Sequence, residues 1–160
     1  MTLFKDQFVG TTTDKTNQEV QIFYCADVTQ SACLSLMFEI YSNMLDQSLV
    51  FQSFEWEDLK HFHAVFAKDI NGQILSGITF KINAARISVL TFAFSTLESR
   101  NRGISKICFK QYLAKSIELQ ATRTLSVVSK HNQDVIKNQE NKKISYSGPE
   151  AARGIYLVKF

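Results

Sequence analysis

The spacing of apolar and polar residues changes several times along the chain, and each change marks an element. Gln18–Ala26 alternates and is rich in β-branched and aromatic residues, which predicts a first strand. Asp27 or Thr29 is placed to cap the next element. From Gln30 to Leu45 the residues Cys33, Leu36, Met37, Ile40, Tyr41 and Met44 recur at helical spacing, giving an amphipathic helix whose Met and aromatic stripe reads as core. Asp46–Lys60 is less regular, with a short helix expected over Glu55–Leu59. His61–Lys68 and Gln73–Ile82 are β-rich runs joined by Asp69-Ile70-Asn71-Gly72, and Asn-Gly there predicts a hairpin with a type I′ turn. Asn83-Ala84-Ala85 then turns the chain into an apolar strand, Ile87–Ser95, so these three strands form an antiparallel meander.

Thr96–Arg102 is a short polar loop, and a helix opens at Gly103 with its apolar face at Ile104, Cys108 and Tyr112. Thr122–Ser129 is the next β-rich run. Because it follows a helix that follows a strand, its place is parallel to and beside Ile87–Ser95, by the right-handed crossover rule. His131-Asn132 opens a polar helix from Gln133 to about Asn141, and Ile144–Tyr146 and Gly154–Phe160 are short strands around a Gly148-Pro149 turn. Residues 1–17 show no clear period and read as a loose arm or a short edge strand.

At 160 residues the chain is expected to form one domain, residues 1–160. Hydrophobic residues make up 45% and charged residues 21%, as in ordinary globular proteins, and thirteen Phe supply the core with volume. No apolar run approaches the roughly 20 residues of a membrane span, and the first residues lack the layout of a signal peptide, so a cytoplasmic protein without a membrane partner is expected. A formal charge of +3, with Lys and Arg scattered, argues against a nucleic-acid partner and leaves small anions as ligands. Cys25, Cys33 and Cys108 are odd in number and set among apolar residues, so they read as reduced core positions; no metal site is expected.

One joint in this order carries chemistry. Where a strand feeds a helix through a loop with glycine at the joint, the unpaired N–H groups of the first helical turn point the same way and the helix dipole adds positive charge. Arg100, Arg102 and Lys106 surround the loop, and Gly103 has no side chain to keep a phosphate from the backbone. The alternative is an ordinary connection with a solvated basic loop.

The run Arg100-Asn101-Arg102-Gly103-Ile104-Ser105 resembles the coenzyme A pyrophosphate motif of the GNAT superfamily of N-acetyltransferases, Q/R-x-x-G-x-G/A, with Ser105 where the family usually has Gly or Ala. The element order from about Glu19 onward resembles that family too. The resemblance implies an α/β (α+β) acyl-CoA N-acyltransferase fold: a mixed six- to seven-stranded sheet, splayed between its fourth and fifth strands, Ile87–Ser95 and Thr122–Ser129, and flanked by about four helices. It also implies acetyl-CoA as co-substrate, its pantetheine arm paired with the backbone of Ala93, Phe94 and Ser95 and its pyrophosphate on the N–H groups of Asn101, Arg102, Gly103, Ile104, Ser105 and Lys106. Asn132 stands where the family has an Asn that bonds the pantetheine, and it also suits a helix N-cap.

The departures concern proton transfer. Seven residues after that Asn many members have a Tyr as general acid; here it is Gln139. The strand positions that often hold a general base match Val89 and Val127. Tyr146, Tyr112 and His131 are the substitute candidates for catalysis, with His61, His63, Glu55, Glu57 and Asp58 behind them. Cys108 as nucleophile is disfavoured by its place on the core face. Phe51, Phe54 and Trp56 among those acids form either a wall for an amine or a packed connector. The resemblance thus implies transfer of an acetyl group to a small-molecule or peptide amine by direct attack in a ternary complex, by a monomer or homodimer. The competing reading is a non-catalytic acyl-CoA-binding module.

Overall fold

The computed structural model describes residues 3–46, 59–129, 145–146 and 153–159. One mixed sheet of eight strands carries the fold: β1 (Gln7–Thr13), β2 (Glu19–Cys25), β3 (His63–Lys68), β4 (Ile74–Ile82), β5 (Ile87–Ser95), β6 (Arg123–Ser129), β7 (Ser145–Tyr146) and β8 (Arg153–Lys159), in the spatial order β1-β2-β3-β4-β5-β6-β8-β7. Among the described residues only β5 and β6 run parallel, and every other neighbouring pair is antiparallel.

Two α-helices are described, α1 (Leu34–Asp46) and α2 (Ile104–Glu118), one on each face. Met37 and Tyr41 of α1 bury against Ala64, Phe66, Phe92 and Phe94, with Val28, Cys33 and Phe62 in the same layer. Ile104, Cys108, Phe109 and Tyr112 of α2 bury against Val20, Ile22, Tyr24, Val65, Ile78 and Phe80 on the other. The apolar stripes of both helices point where their sequence spacing placed them. All three cysteines are buried and free. The other two expected helices, over Glu55–Leu59 and Gln133–Asn141, lie outside the described residues apart from Leu59, which is fully buried. The Gly148-Pro149 turn is outside them too.

Of the two alternatives for the first residues, the short edge strand is the one present: β1 pairs with β2 from Gln7↔Tyr24 to Thr13↔Glu19 and adds an eighth described strand at the sheet edge. Two local features differ from the pattern-based reading. The β3–β4 connection is not a type I′ turn. Gly72 alone takes positive φ, at 82°, while the Asp69 carboxylate accepts the N–H of Asn71 and of Gln73, so a side chain closes the turn where a second left-handed residue was expected. Finally, β5 is bulged at Thr91: Leu90 stands opposite Phe80 and Phe92 opposite Thr79, which leaves Thr91 as an extra residue. Leu90 therefore packs on the α2 side, and Phe92 and Phe94 on the α1 side.

Candidate functional site

The site is built where β5 parts from β6. β5 and β6 are in register from Ile87↔Arg123 to Leu90↔Ser126, and the ladder stops there, although β5 continues to Ser95 and β6 to Ser129. Past Leu90 the two strands no longer pair, so the sheet has a wedge in its interior. Ala93, near the middle of the sheet, is exposed, which a paired and covered central strand would not allow. Of the three residues expected to offer backbone groups to a ligand, Phe94 turns its carbonyl toward β4, where the Ser76 hydroxyl donates to it at 2.9 Å. Strand alternation then aims the backbone groups of Ala93 and Ser95 at the wedge.

Beyond Ser95 the loop is folded tightly. The Thr96 N–H donates to the Leu75 carbonyl, residues Leu97–Ser99 form a single 3-10 turn, and the buried Ser99 hydroxyl donates to the Thr96 carbonyl. Asn101 and Gly103 both lie in the left-handed region, at φ 63° and 78°, and Gly103 caps α2. The first N–H that finds a carbonyl in the new helix is that of Ile107, on Gly103. The N–H groups of Gly103, Ile104, Ser105 and Lys106 make no hydrogen bond among the described residues, so four donors and the positive end of the helix dipole converge at one spot. Arg100, Ser105 and Lys106 are exposed around it.

Arg102 is placed differently. Its Nε donates to Asp14 Oδ2 at 2.7 Å, its Nη2 donates to Gln18 Oε1 at 3.0 Å, and its carbonyl accepts the Lys15 N–H at 3.0 Å. The turn between β1 and β2 is thus bolted to the loop, with the Lys15 side chain lying along Gly103. The Asp14 carboxylate, which also accepts from the Thr16 hydroxyl and from the N–H groups of Thr16 and Gln18, is held well below the usual carboxylate range, first by Thr16 and then by Arg102 and the backbone, against the opposing effect of burial. Nothing in the order of residues pointed to this turn. The one available signal was an acid in a polar stretch whose other residues are mostly Thr.

The candidate proton-transfer groups are dispersed. Tyr112 is fully buried on α2, and its hydroxyl donates to the Ser88 carbonyl at 3.0 Å, in the closed part of the β5–β6 ladder; burial raises its pKa. Cys108 is buried under the helix with its thiol on the Ser76 carbonyl, and burial pushes it up to about 12. His63 packs between Tyr24 and Phe80 with Nδ1 2.7 Å from the Tyr24 hydroxyl, and burial lowers its pKa. His61 is exposed ahead of β3. Tyr146 stands in β7 opposite Tyr156, which is opposite Ser126, so its backbone is level with the last β5–β6 pair. Its side chain, and His131, Asn132, Gln139, Phe51, Phe54, Glu55, Trp56, Glu57 and Asp58, lie outside the described residues, as does the side chain of Val127. Among the described residues no cluster of His, Cys, Asp or Glu could hold a metal, and no helix is long and apolar enough to cross a membrane.

A parallel β-α-β unit that splays past its fourth residue pair lies next to a glycine-opened helix, inside an otherwise antiparallel sheet, and solved structures match this overall fold. The GNAT domain of PAT from S. lividans superposes with a TM-score of 0.73 over 94% of this chain and 96% of its own, at 11% identity. The chain has the GNAT fold. An acetyltransferase of the GNAT family from Staphylococcus aureus Mu50 matches with a TM-score of 0.69, 11% identity and coverage of 88% of this chain and 98% of its own. A proposed streptothricin acetyltransferase from Bacillus anthracis str. Ames, solved in complex with acetyl coenzyme A, matches with a TM-score of 0.56 and 14% identity over 62% of this chain and 64% of its own. No family model and no curated protein matches the sequence. β5 and α2 are the strand and helix on either side of the loop Thr96–Arg102, and β1 is an additional strand ahead of the first one expected.

Proposed function

We propose that this GNAT-fold protein is an acyltransferase that moves the acetyl group of acetyl-CoA to a primary amine. The observation that carries the reading is the conjunction of the wedge past Leu90/Ser126 with the four unpaired N–H groups of Gly103 to Lys106. A diphosphate accepts hydrogen bonds from such donors, and an extended amide-bearing arm suits the free edge of β5 at Ala93 and Ser95. That a GNAT structure of similar fold holds acetyl coenzyme A supports the same ligand class here. Arg100 and Lys106 are the cations available to the phosphates; Arg102 contributes its backbone N–H, because two arms of its guanidinium are bonded to Asp14 and Gln18. Asn132 is proposed as a further contact to the arm.

In this reaction the amine nitrogen attacks the thioester carbonyl carbon, the C–S bond breaks, and the leaving thiolate takes up the proton that the nitrogen loses. Positioning in the wedge and polarisation of the carbonyl by backbone N–H groups supply much of the barrier reduction. Tyr112, His63 and Cys108 are committed to the core, so Tyr146 and His131 remain the proposed proton-transfer groups. Without a dedicated base the rate is expected to be about 10² to 10⁴ lower than in a fully equipped enzyme.

The test is titration of the protein with coenzyme A beside thiol release from acetyl-CoA over a panel of amines. Binding with turnover on one amine class supports the proposal. Binding without turnover on any amine favours the acyl-CoA-binding module, and absence of binding removes both.

A further inference from the structure

The Asp14–Arg102 pair turns the Arg102 guanidinium away from the helix mouth, and Asp14 belongs to none of the groups expected to touch a ligand. Yet it joins two segments 88 residues apart through a 2.7 Å bond, and the Asp14 side chain is completely buried while that of Arg102 is 18% exposed. Arg102 sits between the two left-handed residues of the loop, Asn101 and Gly103. A non-glycine residue in that region is disfavoured and persists where its surroundings dictate it. Here the dictating contacts are at Arg102, gripped on both sides: the guanidinium by Asp14 and Gln18, the carbonyl by the Lys15 N–H. Turning that carbonyl toward the β1–β2 turn also keeps a negative dipole away from the converging N–H groups.

We infer that Asp14 and Arg102 are positioning residues for the proposed diphosphate seat, with Arg102 fixing the loop shape and neutralising a buried carboxylate that would otherwise repel the phosphates. The β1–β2 turn is then part of the coenzyme A half of the protein, and Lys15, whose stem comes within 3.2 Å of a Cβ placed on Gly103, travels with it as a third cation. This inference rests on the proposed function, since a seat must exist for the pair to shape it.

Charge gives the test its sign. Arg102→Gln leaves Asp14 ionised and unpaired beside the seat. Asp14→Asn together with Arg102→Gln removes that charge and keeps two amide side chains that can bond each other. Affinities for coenzyme A and for acetyl-pantetheine, which lacks the diphosphate, are measured by calorimetry for each variant with its melting temperature. Arg102→Gln is expected to weaken coenzyme A by about tenfold or more while acetyl-pantetheine changes by less than about twofold, and the double variant is expected to recover part of the loss. A merely structural pair would lower both ligands together, or neither, and would show no recovery; either result overturns the inference. Should Arg102→Gln not fold, the exposed Gln18→Ala variant frees one guanidinium arm and must show the same selectivity at smaller amplitude. If the wild-type protein binds no coenzyme A, the proposed function fails and takes this inference with it; if it binds and the variants keep that affinity, only the inference fails.

Discussion

Gly77 of β4 lies directly under the ring of Phe94 in β5: a Cβ on Gly77 would fall 2.5 Å from Cζ and 2.8 Å from Cε1 of that ring, and 3.0 Å from Cβ of Phe66. Phe94 is 3% exposed and stacked at 6.1 Å on Phe92, so the ring has little room to retreat. Gly77→Ala is therefore expected to destabilise the fold by about 1 to 3 kcal/mol, the usual range for overpacking. Because the strain falls on the unpaired half of β5, the variant should also weaken coenzyme A binding. Chemical denaturation and calorimetry check the two effects.

Gly103 is constrained twice, by a φ of 78° and by the Lys15 stem. Gly103→Val places a branched side chain in a left-handed residue, at a cost of about 1 to 2 kcal/mol, and fills the space proposed for a phosphate. The variant is expected to fold with a lowered melting temperature and to lose most of its affinity for coenzyme A. Unchanged affinity would remove the loop from the binding site.

Arg100 is exposed in the same loop, and its side chain makes no hydrogen bond or ion pair among the described residues. Arg100→Ala is expected to leave the melting temperature unchanged and to weaken coenzyme A binding by about 1 to 3 kcal/mol, the range for charge-assisted hydrogen bonds. The loss should shrink as salt is raised. Titrations at two ionic strengths check it.

The neutral form of His63 is favoured by burial and by the nearby Lys115 ammonium, so its pKa lies below 6.5. Tyr24, pushed up to about 12 by burial, stays protonated, and its hydroxyl lies 2.7 Å from Nδ1, within hydrogen-bond distance of the neutral ring. In the unfolded chain the ring takes up its proton near the usual value, whereas the folded protein does so only at lower pH. The stability tied to His63 is thus complete above about pH 7 and drains away as the pH falls through about 6.5 toward the folded-state pKa. His63→Phe should flatten the melting temperature over that window. Asp14 acts in the same direction at more acid pH: its contribution is present above the ordinary carboxylate range and is lost as the pH falls toward its depressed pKa.

Cys108→Ala is expected to retain turnover, because the thiol is buried on the Ser76 carbonyl and raised to about 12. Cys33 is raised to about 12 as well, and Cys25 is raised. Thiol reagents should label the native protein slowly at these three positions and quickly only in denaturant.

Much of the architecture could be read from residue order because it rests on local signals. The two amphipathic stripes, the β3–β4 hairpin and the β5-loop-α2-β6 crossover each declare themselves within one element or from elements adjacent in the chain. β1 is harder: Gln7–Thr13 is exposed along nearly its whole length, so it has no buried alternation, and only its run of Thr favours a strand. The Asn-Gly signal misleads on turn type because it is an intrinsic preference, and the Asp69 carboxylate overrides it by bonding backbone that the turn would have bonded itself. Of the candidate site, Arg100 to Lys106 are expected from the glycine at a strand-to-helix joint, and the end of β5 only from the family resemblance. The grip of Asp14 on Arg102 is not, since a long-range pair leaves no periodic trace in either segment.

The surplus residue at Thr91 acts as a phase shift. A strand of the same length with Thr91 paired in regular alternation would keep Leu90, Phe92 and Phe94 on one layer, leaving the other short of two large rings and turning Ala93 inward. The bulge thus decides both how the two halves of the molecule share their bulk and which way the floor of the opening faces. Deleting Thr91 should restore unbroken pairing with β4 and leave Leu90, Phe92, Ala93 and Phe94 facing as they do now, whereas pressing Thr91 into the ladder would invert the floor.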